Sequence, residues 1–153
     1  MTSEAIEEIK SQAVDLFRSG LNCAEAVSQA ILNYFKFDSE RIKGVAMGFG
    51  GGLGRYGSVC GAVSGSVIAI GVVKNKDNQD SKDKEIRKEV YEKSLQLVEG
   101  FEKEFGSPNC RDLIGGDLRN PEDIKRLAKQ NLKENLCVNL VAWCTVKTIE
   151  LLQ

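Results

Sequence analysis

The chain has 153 residues, 42% of them hydrophobic, which is enough apolar content to form one domain around a single core over residues 1–153. Its formal net charge is −1 and its lysines are interleaved with acidic residues, which excludes the basic face typical of nucleic-acid-binding proteins. Five cysteines and no histidine exclude a Cys–His nucleophilic dyad, so redox or soft-metal chemistry must use thiol sulfur.

Helix signals dominate the first third of the chain. Residues 3–19 form the first predicted helix, which Gly20 is suited to end. A second helix is predicted to begin after Asn22, whose side chain can cap it while Glu25 completes a capping box. Ser39–Glu40 indicates the start of a short third helix.

A glycine-rich segment interrupts these helices. Residues 48–57 include six glycines, a composition that disfavours regular helix because glycine loses the most conformational entropy when it is ordered. Residues 58–73 then predict a buried helix built on small residues, and residues 74–81 a polar loop.

Helical spacing resumes in the second half of the chain. Further helices are predicted over about residues 85–105, from Cys110 to Gly115–Gly116, from Pro121 onward, and over about residues 134–151. Asn109 and Asn120 stand where they can cap two of these helices. Because strand signals are few, we predict an all-α fold, a compact bundle of unequal helices with an inserted glycine-rich loop.

The chain lacks the patterns of a secretion signal and of a convincing membrane span. Residues 1–4 lack basic and apolar regions, and the longest apolar stretch, residues 56–73, is rich in glycine. We therefore expect a cytoplasmic protein without membrane insertion, whose cysteines are reduced at rest.

Three of the five cysteines stand at predicted helix starts. Cys23, Cys60 and Cys110 each read as the first or second residue of a helix, where the helix dipole favours thiolate over thiol. Cys60 also follows the glycine-rich segment, so free backbone amides and the Arg55 guanidinium are available to an anion or to the thiolate. We therefore predict a lowered pKa for Cys60. The residues predicted to contact a bound molecule here are Gly50, Gly51, Gly52, Arg55 and Gly61.

The same residues allow other interpretations. Gly52, Gly54 and Gly57 form a G-x-G-x-x-G, but the β-α-β context of a dinucleotide site is missing. Each cysteine also fits core packing as a small hydrophobe, and Cys137 and Cys144 lie about 10 Å apart along one helix, too far to bond to each other. Four thiolates brought together by folding would suit zinc or an iron–sulfur cluster, although no C-x-x-C pair is present.

The glycine-rich segment and the cysteine after it resemble a known family signature. The run Gly-Phe-Gly-Gly-Gly followed by Cys60-Gly-Ala-x-x-Gly65 is similar to the motif of the C_GCAxxG_C_C family, redox-active proteins of similar length with four separated cysteines. The other matching contexts are Asn22-Cys23-Ala24, Cys110-Arg111-Asp112-Leu113 and Cys137 in the final helix. The resemblance covers nearly the whole chain and implies that these four cysteines are the functional set, with Cys144 outside it.

The helix-start thiols and this resemblance together predict a small thiol redox protein. Cys60 would form a reversible disulfide with Cys23, Cys110 or Cys137, the chemistry of a thiol–disulfide oxidoreductase. The alternatives are a module in which the same four thiolates hold zinc or an iron–sulfur cluster, and a structural or accessory protein with buried cysteines. No cofactor is firmly implied, and the expected partner is a redox protein or a small molecule. The small-residue helix after Cys60 would suit a homodimer contact as well as the monomer core.

Overall fold

The fold is built from helices throughout the part of the chain that is described. The computed structural model describes residues 1–38, 42–78, 80 and 82–153, so the helix predicted to begin at Ser39–Glu40 lies outside the described residues. The helices are α1 (Ser3–Arg18), α2 (Cys23–Tyr34), α3 (Gly61–Lys74), α4 (Lys84–Phe105), α5 (Cys110–Ile114), α6 (Pro121–Lys129) and α7 (Val138–Leu152). A 3₁₀ turn at Met47–Phe49 and a π-helical turn at Lys133–Cys137 complete them. The predicted all-α fold is confirmed.

Local capping explains why the helices begin where they do. The Asn22 side chain accepts a hydrogen bond from the Glu25 amide at 2.9 Å, and the Glu25 carboxylate accepts one from the Asn22 amide at 2.9 Å, which is the predicted capping box. Asp83 and Asn120 cap α4 and α6 with their side chains. These contacts satisfy backbone amides that would otherwise have no partner in the first turn.

The core lies where α2, α3 and α7 meet, with α1 packed on α2 and α7, and α4 packed on α3 and α7. The largest fully buried side chains are mainly aliphatic and come from α2, α3, α4 and α7: Val27, Ile31, Val63, Ile70, Leu97, Phe101, Val141 and Ile149. Burial of these side chains is the main force that holds the bundle together.

The C-terminal segment Lys133–Leu152 is long and apolar enough to cross a membrane when judged by length and composition alone. The core helix of a soluble protein passes the same test, and here α7 contributes Leu140, Val141 and Ile149 to the buried core.

Candidate thiol redox site

The close crossing of α2 and α3 brings Cys23 against the start of α3. A Cβ added to Gly61 would lie 2.5 Å from the Cys23 sulfur, and a Cβ added to Gly65 would lie 2.9 Å from the Ala24 Cα. Only glycine at these two positions lets the helices approach this closely. The G-A-x-x-G part of the motif therefore places the sulfur of Cys23 beside Cys60.

A short antiparallel contact places Cys60 and Cys110 on the same side of the chain. Val59 and Asn109 form an isolated β-bridge, the Cys60 amide donates to the Pro108 carbonyl at 2.8 Å, and the Cys110 amide donates to the Ser58 carbonyl at 2.7 Å. Since side chains alternate across such a pair, Cys60 and Cys110 extend to one face, at a diagonal separation of roughly 7–8 Å. The same pairing explains why α3 begins at Gly61 and not at residue 58 as predicted.

Cys137 closes the π-helical turn that precedes α7. Arg18 on α1 forms a bidentate ion pair with Glu134 in this turn, with Nε to Oε1 and Nη2 to Oε2 both at 3.0 Å. An Arg–carboxylate pair of this kind fixes geometry as well as adding energy. The ion pair holds the turn that carries Cys137 against α1. Turns of π-helix are often found at functional sites.

These elements surround one cavity of about 370 Å³, and all four cysteines of the predicted set line it. Cys60 is buried, at 4% exposure, whereas Cys23, Cys110 and Cys137 are half-buried. Cys144 is fully buried in α7 and is not among the lining residues. The cavity therefore groups four cysteines along its wall, while Cys144 belongs to the core.

The Cys23 sulfur lies at the start of α3, beside Cys60, and hydrogen bonding from the Cys60 thiol is the largest cause that lowers the pKa of Cys23 to about 7. Burial of Cys23 opposes the shift, while the backbone amides of Gly51, Ala24 and Cys23 itself support it by donating to the sulfur. Two of these amides belong to the first turn of α2, and the third comes from the glycine-rich segment. The pair thus shares a proton, and the ionised member is Cys23.

The pKa of Cys60 is raised well above its ordinary value, first by the hydrogen bond to Cys23 and then by burial. The prediction that Cys60 is the thiol with the lowered pKa is therefore wrong in direction. Cys60 is the N-cap residue of α3, and it lies one position before the first helical turn. Three backbone amides reach the Cys23 sulfur, whereas only that of Ala62 reaches the sulfur of Cys60.

The other two thiols of the cavity remain protonated at neutral pH. Burial raises the pKa of Cys110 to about 11 and that of Cys137 to about 12, and in each case a charge on Cys23 adds to the shift. Burial also raises the pKa of Cys144 well above its ordinary value. Cys23 is thus the only one of the five cysteines whose pKa is lowered in this structure.

Comparison with known proteins identifies the family of this chain. Residues 21–151 match the family described as "Putative redox-active protein (C_GCAxxG_C_C)". The chain belongs to this family. It is also 31% identical over 115 residues to an uncharacterized protein of Archaeoglobus fulgidus, a match that covers 72% of this chain and 76% of the relative. No solved structure matches the chain.

The glycines of this C_GCAxxG_C_C protein have separate roles around Cys23. Gly51, at φ +65°, presents its amide to the Cys23 sulfur. Gly50 lies against the Asn22 side chain, where an added Cβ would be 2.6 Å from Nδ2. Gly52, at φ +70°, is packed against the backbone of Ser58, where an added Cβ would be 2.6 Å from the amide nitrogen. These residues shape the site, and Arg55 lines the cavity beside them.

The four thiols line the cavity without converging on one point. Among the described residues of this C_GCAxxG_C_C protein, no group of three or more Cys, Asp or Glu side chains is close enough to hold a metal ion. A zinc or iron–sulfur site stays a prediction, and it would require Cys110 and Cys137 to move toward the Cys23–Cys60 pair.

Sequence reasoning missed two parts of the site. Lys133 lines the cavity, and the Lys133 ammonium lies 4.6 Å from the centre of the Phe17 ring. The ion pair between Arg18 and Glu134 joins residues that are 116 positions apart. No local pattern marks either contact, because both depend on how α1 packs beside the π-helical turn.

Proposed function

We propose that this protein carries out thiol–disulfide exchange through the Cys23–Cys60 pair. Cys23 is the attacking thiolate and Cys60 is the resolving thiol. The observation that carries the proposal is the position of the Cys23 sulfur beside Cys60 at the wall of an accessible cavity, with the Gly51 and Ala24 amides supporting the thiolate of Cys23. An attacking thiol is most effective when its pKa is close to the ambient pH, which is the condition of Cys23.

The reaction proceeds in two balanced steps. In the first, the Cys23 thiolate attacks one sulfur of a disulfide, the S–S bond of the substrate breaks, and one thiolate leaves. In the second, Cys60 loses its proton to that leaving thiolate and attacks the mixed disulfide at Cys23. A Cys23–Cys60 disulfide forms and the second thiolate leaves, so two electrons pass from the protein to the substrate.

A cytoplasmic setting is part of the proposal. A reducing compartment returns the pair to the dithiol after each cycle, and such compartments keep exposed thiols reduced at rest. The raised pKa values of Cys110 and Cys137 keep these two thiols out of competition for the first attack.

Peptide mapping by mass spectrometry after mild oxidation tests the assignment. The reduced protein is treated with one equivalent of diamide and digested without reduction. We expect a cross-link between the peptides of Cys23 and Cys60, in the wild-type protein and in the matched control Cys144→Ala. Cys60→Ser is expected to give instead a mixed disulfide at Cys23 that persists when a small disulfide is added.

A different pairing would contradict the proposal. If Cys110 and Cys137 were cross-linked while Cys23 and Cys60 remained free, the exchange would not use the hydrogen-bonded pair.

A further inference from the structure

The walls of the cavity are apolar, and apart from the Cys23 thiolate its charged groups are cationic. The apolar lining side chains are Phe17, Leu21, Leu113, Ile114, Leu118, Leu132 and Leu140. The charged lining residues are Arg55 and Lys133, and no aspartate or glutamate of the described chain lines the cavity. Such a cavity favours a molecule with an apolar body and an anionic group.

Arg55 and Lys133 are free to meet a ligand. Arg55 is exposed, adopts φ +66° at the edge of the glycine-rich segment, and donates its backbone amide to the Gly50 carbonyl, while its guanidinium forms no hydrogen bond or ion pair with any residue that the structure describes. The Lys133 ammonium lies over the face of Phe17, and its charge also acts on the neighbouring Glu134 carboxylate. Both cations lie on a cavity that also holds the Cys23–Cys60 pair.

We propose that this cavity binds a low-molecular-weight organic disulfide that carries a carboxylate on an apolar body. The inference rests on the proposed function, because this molecule is the oxidant of the Cys23–Cys60 pair. The carboxylate pairs with Arg55 and Lys133, and the apolar body lies against the leucine side chains.

The electron count follows from the exchange already described. The Cys23 thiolate and the Cys60 thiol give two electrons, the S–S bond of the ligand breaks, and one small thiol, carrying the proton of Cys60, leaves together with one small thiolate. The size of the cavity suits this class of ligand, because cavities for small molecules begin at about 300 Å³. Cys60 is only 4% exposed, so it is reached only from within the cavity. The mixed disulfide formed at Cys23 must therefore lie inside the cavity when Cys60 attacks it.

Three disulfides of nearly equal length separate the effect of charge from that of chemistry. Dithiodipropionate is anionic, hydroxyethyl disulfide is neutral and cystamine is cationic. Each is mixed with the reduced protein, the formation of the Cys23–Cys60 disulfide is timed by acid quenching and mass spectrometry, and each rate is divided by the rate with free mercaptoethanol. We expect the normalised rate to be highest for dithiodipropionate, intermediate for hydroxyethyl disulfide and lowest for cystamine. Each cation that contacts the ligand is expected to change the rate about fivefold between successive members of the series.

Charge variants identify the residues responsible. Arg55→Gln and Lys133→Gln are each expected to slow oxidation by dithiodipropionate about fivefold relative to oxidation by hydroxyethyl disulfide. Added salt is expected to reduce the difference in rate between these two disulfides. Lys103→Gln is the matched control, since Lys103 is an exposed lysine on α4 that does not line the cavity. Arg55→Glu is expected to shift the preference toward cystamine. Equal normalised rates for the three disulfides, or equal effects of Arg55→Gln and Lys103→Gln, would overturn the inference.

Binding of unreactive analogues distinguishes failure of the ligand class from failure of the redox function. Suberate and hexanediamine have the lengths of dithiodipropionate and cystamine but contain no sulfur. We expect suberate, and not hexanediamine, to shift the amide resonances of Gly51 and Arg55 in the reduced protein. If suberate binds but none of the disulfides oxidises the pair, the ligand class stands and the proposed function fails. If the pair is oxidised but suberate does not bind, the ligand class fails and the function stands.

Discussion

At the scale of single residues, the two central cysteines differ because their backbone surroundings differ. Cys23 is the first residue of α2, so the amides of Cys23 and Ala24 are free to donate to its sulfur, and the Gly51 amide adds a third donor. Cys60 receives one amide, that of Ala62, and its own amide donates to the Pro108 carbonyl. A charge on the pair is therefore stabilised on Cys23, while Cys60 holds the proton that both sulfurs share.

Removal of the Cys60 thiol is expected to raise the pKa of Cys23. The hydrogen bond from Cys60 is the largest cause of the lowered pKa, while the amides remain in Cys60→Ala. A rise of one unit from about 7 leaves roughly a tenth of Cys23 as thiolate at neutral pH, so alkylation by iodoacetamide slows about fivefold. The rate at Cys23 is measured by peptide mass spectrometry from about pH 5 to pH 9. The control Cys110→Ala keeps the wild-type midpoint, and an unchanged midpoint in Cys60→Ala would count against the shared proton.

At the scale of elements, the glycines of the family motif allow two helices to cross closely, in addition to the cysteine that the motif supplies. Gly61 makes room for the Cys23 sulfur and Gly65 makes room for the Ala24 backbone, so α2 and α3 meet at their first turns. The reactive pair exists because these two turns are held together. The spacing of the two glycines is visible in the sequence, but the identity of the helix that packs on them is not.

Two glycine substitutions on the same helix are expected to have opposite effects. In Gly65→Ala the new Cβ meets the Ala24 backbone, which cannot move aside, and we expect a loss of about 1–3 kcal/mol in the free energy of unfolding. Gly71→Ala is the control, because nothing lies within 4 Å of its added Cβ and alanine favours helix by up to about 1 kcal/mol. Urea denaturation of the reduced proteins measures both. Equal stability of the two variants would show that the crossing does not constrain this position.

At the scale of the whole molecule, the sequence predicted the helix boundaries that neighbouring residues determine, but it did not predict the contacts between distant residues. The capping box at Asn22 and the left-handed glycines that end α4 and α5 are set by neighbouring residues, so the sequence predicted these boundaries. The cavity depends on contacts across the fold, such as the Cys110 amide on the Ser58 carbonyl. The resemblance to a family named the four cysteines that line the cavity, but the sequence did not predict the cavity itself or that Cys23 is the cysteine with the lowered pKa.

The shifted thiols should give the reduced protein a stability maximum near pH 8. The pKa of Cys23 is lowered in the folded state, so between about pH 7 and pH 8.5 the unfolded chain binds more protons and stability rises with pH. The pKa values of Cys110 and Cys137 are raised, so above about pH 8.5 the folded state binds more protons and stability falls. Each thiol contributes a slope of at most about 1.4 kcal/mol per pH unit.

Serine variants separate the two slopes, since serine does not titrate in this range. Cys23→Ser is expected to remove the rise below pH 8.5, and the double variant Cys110→Ser/Cys137→Ser is expected to make the fall above pH 8.5 shallower. Urea denaturation under strong reductant at successive pH values gives both slopes. The comparison uses the change with pH and not the absolute stability, because each substitution also alters packing. If the stability of the double variant fell as steeply above pH 8.5 as that of the wild type, these two thiols would ionise as readily in the folded protein as in the unfolded chain.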